Sequence, residues 1–141
     1  MQKIKYTLLF TLLSITTIGF GDVLNLTSEQ LIEAQKIGTV VIDIRTPEEW
    51  VDTGTIKGAE KIMFFDQQRK PLIDEFMKAF EKIVTSKDQP FILVCRSGSR
   101  TNAVSNFLKG KLGYKNAAHL VKGMNQWIAE RRELEKHTIL N

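Results

Sequence analysis

The residue in this sequence best suited to covalent chemistry is Cys95, the only cysteine among 141 residues. It follows the apolar run Phe91–Val94 and precedes a predicted helix. Between them lies a polar segment with two arginines, Arg96-Ser97-Gly98-Ser99-Arg100. Glycine lets such a loop curl, small serines leave the amides accessible, and a helix N-terminus attracts anions. These features favour the ionised form of a thiol, which is the nucleophile, over an inert cysteine in an ordinary turn. We therefore predict a loop of N–H donors around a reactive sulfur, with the arginines holding an anionic reactant.

The strands that must position this loop are predicted from short apolar runs. Thr39–Ile44 and Phe91–Val94 are continuous runs, as expected for strands buried on both faces, and Ala117–Val121 is a third. Ile62–Phe65 is predicted as a short additional strand. Cys95 then lies at the carboxyl end of a strand, where open parallel sheets bind their ligands.

Helices are predicted between these strands. Thr27 with Gln30 resembles a capping box, and Thr46 followed by Pro47 is typical of a second helix start. The other predicted helices cover residues 71–84, 99–112 and 124–134. Their expected inward side chains are Ile73, Phe76, Met77, Phe80, Ile83, Val84, Ala103, Val104, Phe107, Leu108, Trp127, Ile128 and Leu134. Alternating strands and helices predict an α/β fold of three layers, with a mostly parallel central sheet and helices on both faces.

The first 21 residues have the pattern of a secretory signal peptide. Lys3 and Lys5 form a basic start, and the uncharged run Tyr6–Phe20 leads to small residues before Asp22. A membrane anchor or a buried helix is the alternative, but a span needs roughly 20 apolar residues. We expect residues 1–21 to be removed, which leaves residues 22–141 as one domain. That domain is expected in the periplasm or otherwise exported, without stable membrane association.

The charge balance and the histidines exclude several classes of function. The formal net charge is +4, and the basic residues are scattered, which does not favour a nucleic-acid partner. His119 and His137 have no neighbouring residues at metal-ligand spacing, so no metal site is expected. No cofactor is implied, and a monomer is the default expectation.

Four segments, in the right order, resemble the rhodanese family of sulfurtransferases. Val41–Trp50 looks like the first signature of the family, and Gly54–Ala59 looks like the loop that follows it. Cys95–Arg100 resembles the active-site loop, and Leu120–Met124 with Trp127 resembles the closing motif. The match is to the single-domain form, including small exported members of the phage-shock type, and it covers most of the chain after residue 21.

The resemblance implies a three-layer rhodanese-like domain and a persulfide mechanism. Cys95 would take a sulfur atom from thiosulfate or another sulfane-sulfur donor and pass it to cyanide or a thiol. The loop residues would bind the substrate and stabilise the persulfide; they are Arg96, Ser97, Gly98, Ser99 and Arg100. Asp43 and Arg45 would support the loops and the fold. Four departures from the family pattern bear on donor preference: Thr55, Met63, Val94 and Lys122.

Two other functions stay open at this point. A non-enzymatic sulfur carrier needs the same loop, so the sequence does not separate it from the enzyme. The third function is that of a Cys-dependent phosphatase or arsenate reductase, whose active-site loop has a cysteine and an arginine separated by five residues. Here four residues separate Cys95 from Arg100, and a smaller loop suits a single sulfur better than a tetrahedral oxyanion.

Overall fold

The structure of the chain is a computed structural model, and it describes residues 22–138. The predicted signal segment, residues 1–21, lies outside this range. A five-stranded parallel sheet has the strand order β1-β5-β4-β2-β3. Its strands are β1 (Leu24–Leu26), β2 (Val40–Asp43), β3 (Glu60–Lys61), β4 (Phe91–Val94) and β5 (Ala117–Leu120). Five helices surround it: α1 (Ser28–Lys36), α2 (Pro47–Thr53), α3 (Ile73–Phe80), α4 (Ser99–Gly110) and α5 (Gly123–Ala129). Within residues 22–138, no helix has the length and apolarity needed to cross a membrane.

The central strand β4 shows why its sequence is a continuous apolar run. All four of its side chains are buried, and alternate residues belong to different cores. Phe91 and Leu93 pack in a core that includes residues of α3 and α4, whereas Ile92 and Val94 pack in one that includes residues of α1 and α5. Helices therefore cover both faces of the sheet, and the predicted α/β architecture is confirmed.

One predicted strand differs from the structure, and one strand was not predicted. β3 lies at Glu60–Lys61 rather than at Ile62–Phe65. The amides of Ile62 and Phe64 still donate to Asp43 and Ile44, at 3.1 and 3.2 Å, so this apolar segment continues alongside β2 without regular pairing. The edge strand β1 was not predicted, because only one of its three residues is buried and it carries no alternating pattern.

The starts of α1, α2 and α4 follow the predictions, whereas α3 begins at Ile73 rather than Pro71, which pairs with Phe65 instead, and some inward faces also differ. Both capping boxes, at Thr27 and Thr46, are confirmed. Ile73 is the first residue of α3 and is 40% exposed, and the helix ends at Phe80, before Ile83 and Val84. The buried positions of α4 are Thr101, Val104, Ser105 and Leu108.

Two further residues, Ala103 and Ile128, were assigned to inward faces that the structure does not give them, and a third, Leu134, faces the core but not from a helix. Ala103 is exposed and lines a surface cleft, because Thr101 and Ser105 take the inward face of α4. The last helix ends at Ala129, and Ile128 is 38% exposed. Leu134 lies beyond that helix, where it packs against the core from a non-helical segment.

Candidate active site

Cys95 lies at the carboxyl end of the central strand, as predicted, and its side chain is fully buried. The N–H of Gly98 donates to Sγ at 3.2 Å, and Oγ1 of Thr101 lies 3.5 Å from Sγ. We predicted several N–H donors around the sulfur, whereas the structure shows one amide and one hydroxyl group in contact with it. The hydroxyl belongs to the first turn of α4, so both the loop and the helix hold the sulfur.

Two glycines lock the loop against the segment before α5. Gly98 has φ +91°, and a Cβ there would lie 2.0 Å from the carbonyl oxygen of Val121. Gly123 has φ +59°, and a Cβ there would lie 2.5 Å from the carbonyl oxygen of Cys95. The amides of Met124 and Asn125 donate to the carbonyls of Cys95 and Arg96, both at 2.9 Å. The loop after Cys95 and the start of the last helix therefore pack backbone against backbone.

The loop side chains that point outward line a cleft of about 660 Å³. Arg96, Ser97, Ser99 and Arg100 contribute to it, and Oγ of Ser97 lies 3.2 Å from Oγ of Ser99. Gly98 does not line the cleft and is buried. The cleft also contains residues from α2 and from the segment between β3 and α3, namely Thr46, Glu48, Glu49, Phe65, Asp66, Gln67 and Arg69, and Ala103 of α4.

Arg100 is paired with Glu49, which the sequence did not single out. The guanidinium donates to both carboxylate oxygens at 2.6 and 2.8 Å, and each side chain is about a quarter exposed. Burial opposes ionisation of Glu49, but hydrogen bonds from Arg100 and from the Thr46 N–H hold its pKa below the ordinary value. The hydrogen bond to Glu49 raises the pKa of Arg100, burial opposes this rise, and the negative charge of Glu49 adds to it.

Asp43 and Arg45 form a second pair, which is sealed from solvent and does not line the cleft. Nε and Nη2 of Arg45 donate to the carboxylate of Asp43 at 2.8–3.1 Å, and both side chains are 1% exposed. The guanidinium also donates to Oγ1 of Thr53 at 2.7 Å and to the carbonyl of Gly54 at 2.8 Å. These bonds fix the end of α2. The pair therefore contacts the framework around the loop and makes no contact with the thiol.

A buried polar chain behind Cys95 was missed by sequence reasoning. Oγ1 of Thr101 lies 2.9 Å from Nδ1 of His119, and Nε2 of His119 lies 2.8 Å from Oδ1 of Asn25. Burial lowers the pKa of His119. The signal available in the sequence was Thr101, which lies six residues after Cys95 and shares a helical face with Val104 and Leu108.

The four departures from the family pattern lie away from the cleft. Thr55 is buried and hydrogen-bonded to Nε2 of His137 at 2.6 Å, and Val94 is a core residue. Lys122 has φ −106°, a conformation that any residue adopts, which explains why a glycine is not needed there. Met63 is half-buried. Among residues 22–138, no group of three or more His, Cys, Asp or Glu side chains is placed to hold a metal ion.

Several solved structures have the same fold. A rhodanese-related protein from Thermoplasma volcanium has a TM-score of 0.59 and 21% identity, over 81% of this chain and 99% of that chain. Thiosulfate sulfurtransferase from Pseudomonas aeruginosa has a TM-score of 0.62 and 18% identity, over 82% of this chain and 21% of that chain.

A third structure is a protein of unknown function from Rhodopseudomonas palustris, described as a possible tyrosine phosphatase. Its TM-score is 0.58 and its identity 24%, over 80% of this chain and 85% of that chain. At such identities these likenesses show the fold. No curated protein sequence matches the chain. Residues 27–130, however, match the sequence model of the rhodanese-like domain, and the chain belongs to the rhodanese-like domain family.

Proposed function

We propose that this protein is a sulfurtransferase that moves a sulfane sulfur from thiosulfate, or a similar anionic donor, to a thiophilic acceptor through a Cys95 persulfide. One observation carries the proposal: the only thiol of the chain is held by the Gly98 N–H and the Thr101 hydroxyl, directly before a loop that lines a cleft with arginines. The Gly98 N–H donates to the sulfur, and the Thr101 hydroxyl is within reach to act as a second donor once the sulfur is an anion.

The transfer consists of two displacements at sulfur. The Cys95 thiolate attacks the outer sulfur of thiosulfate, the sulfur–sulfur bond of the donor breaks, and sulfite leaves with the electron pair. Cys95 then holds the sulfur as a persulfide. Cyanide or a thiolate attacks the outer persulfide sulfur, and the electron pair of the broken bond returns to Cys95. No oxidant or reductant is consumed.

Three arginines and three carboxylates line the cleft, so an anionic donor is attracted by individual arginines rather than by the cleft as a whole. Arg100 is engaged by Glu49, whereas Arg96 and Arg69 form no ion pair within residues 22–138. Arg96 follows Cys95 directly and is exposed, so it is placed to attract the donor. Because Cys95 itself is fully buried, the donor reaches the sulfur only when this loop moves locally.

The direct test is a mass spectrum of the intact protein after thiosulfate treatment. We expect the mass of one added sulfur atom on Cys95, reversed by cyanide. The matched control is Cys95→Ser, which is nearly isosteric and leaves no other cysteine. Sulfur loading that survives in this variant, or no loading of the unaltered protein, would overturn the proposal.

Turnover distinguishes the enzyme from the two other functions. Repeated thiosulfate-to-cyanide transfer supports the enzyme, whereas loading without turnover supports a sulfur carrier that delivers to a partner. The possible phosphatase in the structural comparison motivates a third assay, hydrolysis of an aryl phosphate. We expect none, because six residues from Cys95 to Arg100 form a small loop. Hydrolysis that is faster than sulfur transfer and is lost in Cys95→Ser would replace our proposal.

We also propose that the active protein is an exported monomer that begins near Asp22. The basic, apolar and small-residue pattern of residues 1–21 supports this. The mass of the protein recovered from the periplasm and its size in solution test both points. A membrane-bound protein that retains Met1 would contradict the first, and a stable dimer the second.

A further inference from the structure

A continuous chain of polar contacts connects the buried thiol to the surface. From Sγ of Cys95 it runs to Oγ1 of Thr101, then to Nδ1 of His119, and from Nε2 of His119 to Oδ1 of Asn25, with distances of 3.5, 2.9 and 2.8 Å. The first three residues are at most 3% exposed, whereas Asn25 is exposed on edge strand β1. The chain therefore crosses from the interior to solvent on the side of the edge strand β1.

The partners of His119 determine where its proton lies. Oδ1 of Asn25 is an acceptor, so Nε2 of His119 carries a hydrogen and donates to it. In the neutral imidazole, Nδ1 is then an acceptor that faces the Thr101 hydroxyl. The Thr101 hydroxyl has two acceptors within reach, the carbonyl oxygen of Gly98 at 3.1 Å and Nδ1 of His119 at 2.9 Å. When it turns from Gly98 to donate to Nδ1, its oxygen presents a lone pair to Sγ. In this arrangement the S–H of Cys95 donates to Oγ1 of Thr101.

We propose that His119 accepts the Cys95 thiol proton through Thr101 when the thiol ionises. The S–H bond breaks and the proton bonds to Oγ1 of Thr101, while the hydroxyl proton of Thr101 bonds to Nδ1 of His119. The products are a thiolate and an imidazolium, with the Thr101 hydroxyl now donating to Sγ. No net charge is created and no further reactant is needed. His119 does not touch the sulfur and is a positioning residue; its use in turnover rests on the proposed function.

The surroundings of the chain are consistent with this role. Burial lowers the pKa of His119, which favours the neutral imidazole that can accept a proton. β5 aligns His119 with the apolar Leu93 of β4 on one side and with Asn25 of β1 on the other. The charged groups near the thiol are Arg100 with its partner Glu49, Arg96 on the loop, and the Asp43–Arg45 pair at the end of the adjacent strand. These stabilise or attract an anion, but as a guanidinium and a carboxylate they do not remove the thiol proton.

The test measures thiolate formation directly, from its ultraviolet absorbance against pH, with Cys95→Ser as the blank. The chain has one cysteine, so the signal belongs to Cys95. In Thr101→Val and His119→Gln we expect the midpoint to rise by about one pH unit, which is about tenfold less thiolate at a given pH below it. Thr101→Ser restores the hydroxyl and is expected to return the midpoint to its original value. A purely structural role for His119 would leave the midpoint unchanged.

A second variant tests the same proposal from the surface and in the opposite direction. Asn25→Asp places a carboxylate at Nε2 of His119, which favours the imidazolium. We expect thiolate formation to begin at lower pH than in the unaltered protein. Because Asn25 is exposed, the substitution should not disturb the fold. Unchanged midpoints in both His119→Gln and Asn25→Asp would overturn the proposal. If the midpoints shift but thiosulfate does not load sulfur on Cys95, the proton transfer to His119 is supported and the proposed function is rejected.

Discussion

Two arginine–carboxylate pairs follow the carboxyl ends of neighbouring strands, and they differ in exposure more than in geometry. Arg45 with Asp43 is 1% exposed, whereas Arg100 with Glu49 is about a quarter exposed and lines the cleft. In both, the guanidinium makes more than one hydrogen bond to the carboxylate, at 2.6–3.1 Å. The sealed pair has no access to a ligand and can only hold structure. The open pair can respond to an anion in the cleft.

The two pairs are also connected through α2. Arg45 holds the C-terminal end of this helix through Thr53 and Gly54, and the same helix carries Glu49. Glu49 in turn accepts from the Thr46 N–H in the capping box and from Arg100. The buried pair thus fixes the helix that presents the open pair to the cleft.

The largest expected difference between the two pairs is in stability, and removal of the buried arginine tests it. In Arg45→Met, the Asp43 carboxylate is left buried without its partner, and we expect a loss of about 3–5 kcal/mol in the free energy of unfolding. Urea denaturation measures it. The double variant Asp43→Leu/Arg45→Met should recover most of the loss, because no unpaired charge remains. A loss below about 1 kcal/mol in Arg45→Met would show that the pair is not structural.

Removal of the open arginine should affect catalysis rather than stability. Arg100→Ala leaves Glu49 as an unpaired anion in the cleft, where it repels an anionic donor. We expect kcat/KM for thiosulfate to fall about ten- to a hundredfold, with less than about 1 kcal/mol lost in stability. Arg96→Ala removes a cation without freeing a carboxylate, so its effect should be smaller.

The double variant Arg100→Ala/Glu49→Gln separates the repulsion from the lost positive charge. We expect it to regain part of the efficiency lost in Arg100→Ala. If the double variant is no better than the single one, the effect of Arg100 does not arise from its pairing with Glu49. Normal efficiency in both Arg100→Ala and Arg96→Ala would place donor recognition elsewhere.

The smallest expected effect is the pH dependence of the open pair. Burial alone would raise the pKa of Glu49, but Arg100 and the Thr46 N–H lower it below 4.5. Stability from this ionisation is therefore present above pH 4.5 and is lost as the pH falls through the lowered value. Unfolding of the unaltered protein and of Glu49→Gln should differ by less than about 1 kcal/mol at neutral pH, and by less still in acid. A constant difference across this range would contradict the assignment.

The sequence predicted those features that depend on neighbouring residues. β4 is continuous in apolar residues and was found at its true bounds, and the capping boxes at Thr27 and Thr46 need only residues three apart. The position of Cys95 at a strand end followed from the same local pattern. Each of these features is encoded within one turn or one strand, so spacing was sufficient.

The features that were missed depend on contacts between distant segments. Glu49 and Arg100 are 51 residues apart, and His119 reaches Thr101 only because β5 pairs with β4 in a register that places His119 beside Leu93. Thr101 was not predicted as a site residue because inward helical faces are recognised by their apolar residues, and a threonine does not fit that pattern. Polar side chains inside a predicted core face are therefore worth treating as candidates for a site.

Gly98 and Gly123, which hold the loop against the segment before α5, determine how far this candidate site can be altered by directed evolution. A saturation library at Ser97 and Ser99, whose side chains point into the cleft, should yield many folded members and is the place to seek new donor preferences. Libraries at Gly98 and Gly123 should return almost only the parent residue, because any side chain meets backbone atoms at 2.0–2.6 Å. A new donor preference must therefore come from the side chains of Ser97 and Ser99, while the backbone conformation of the loop stays the same.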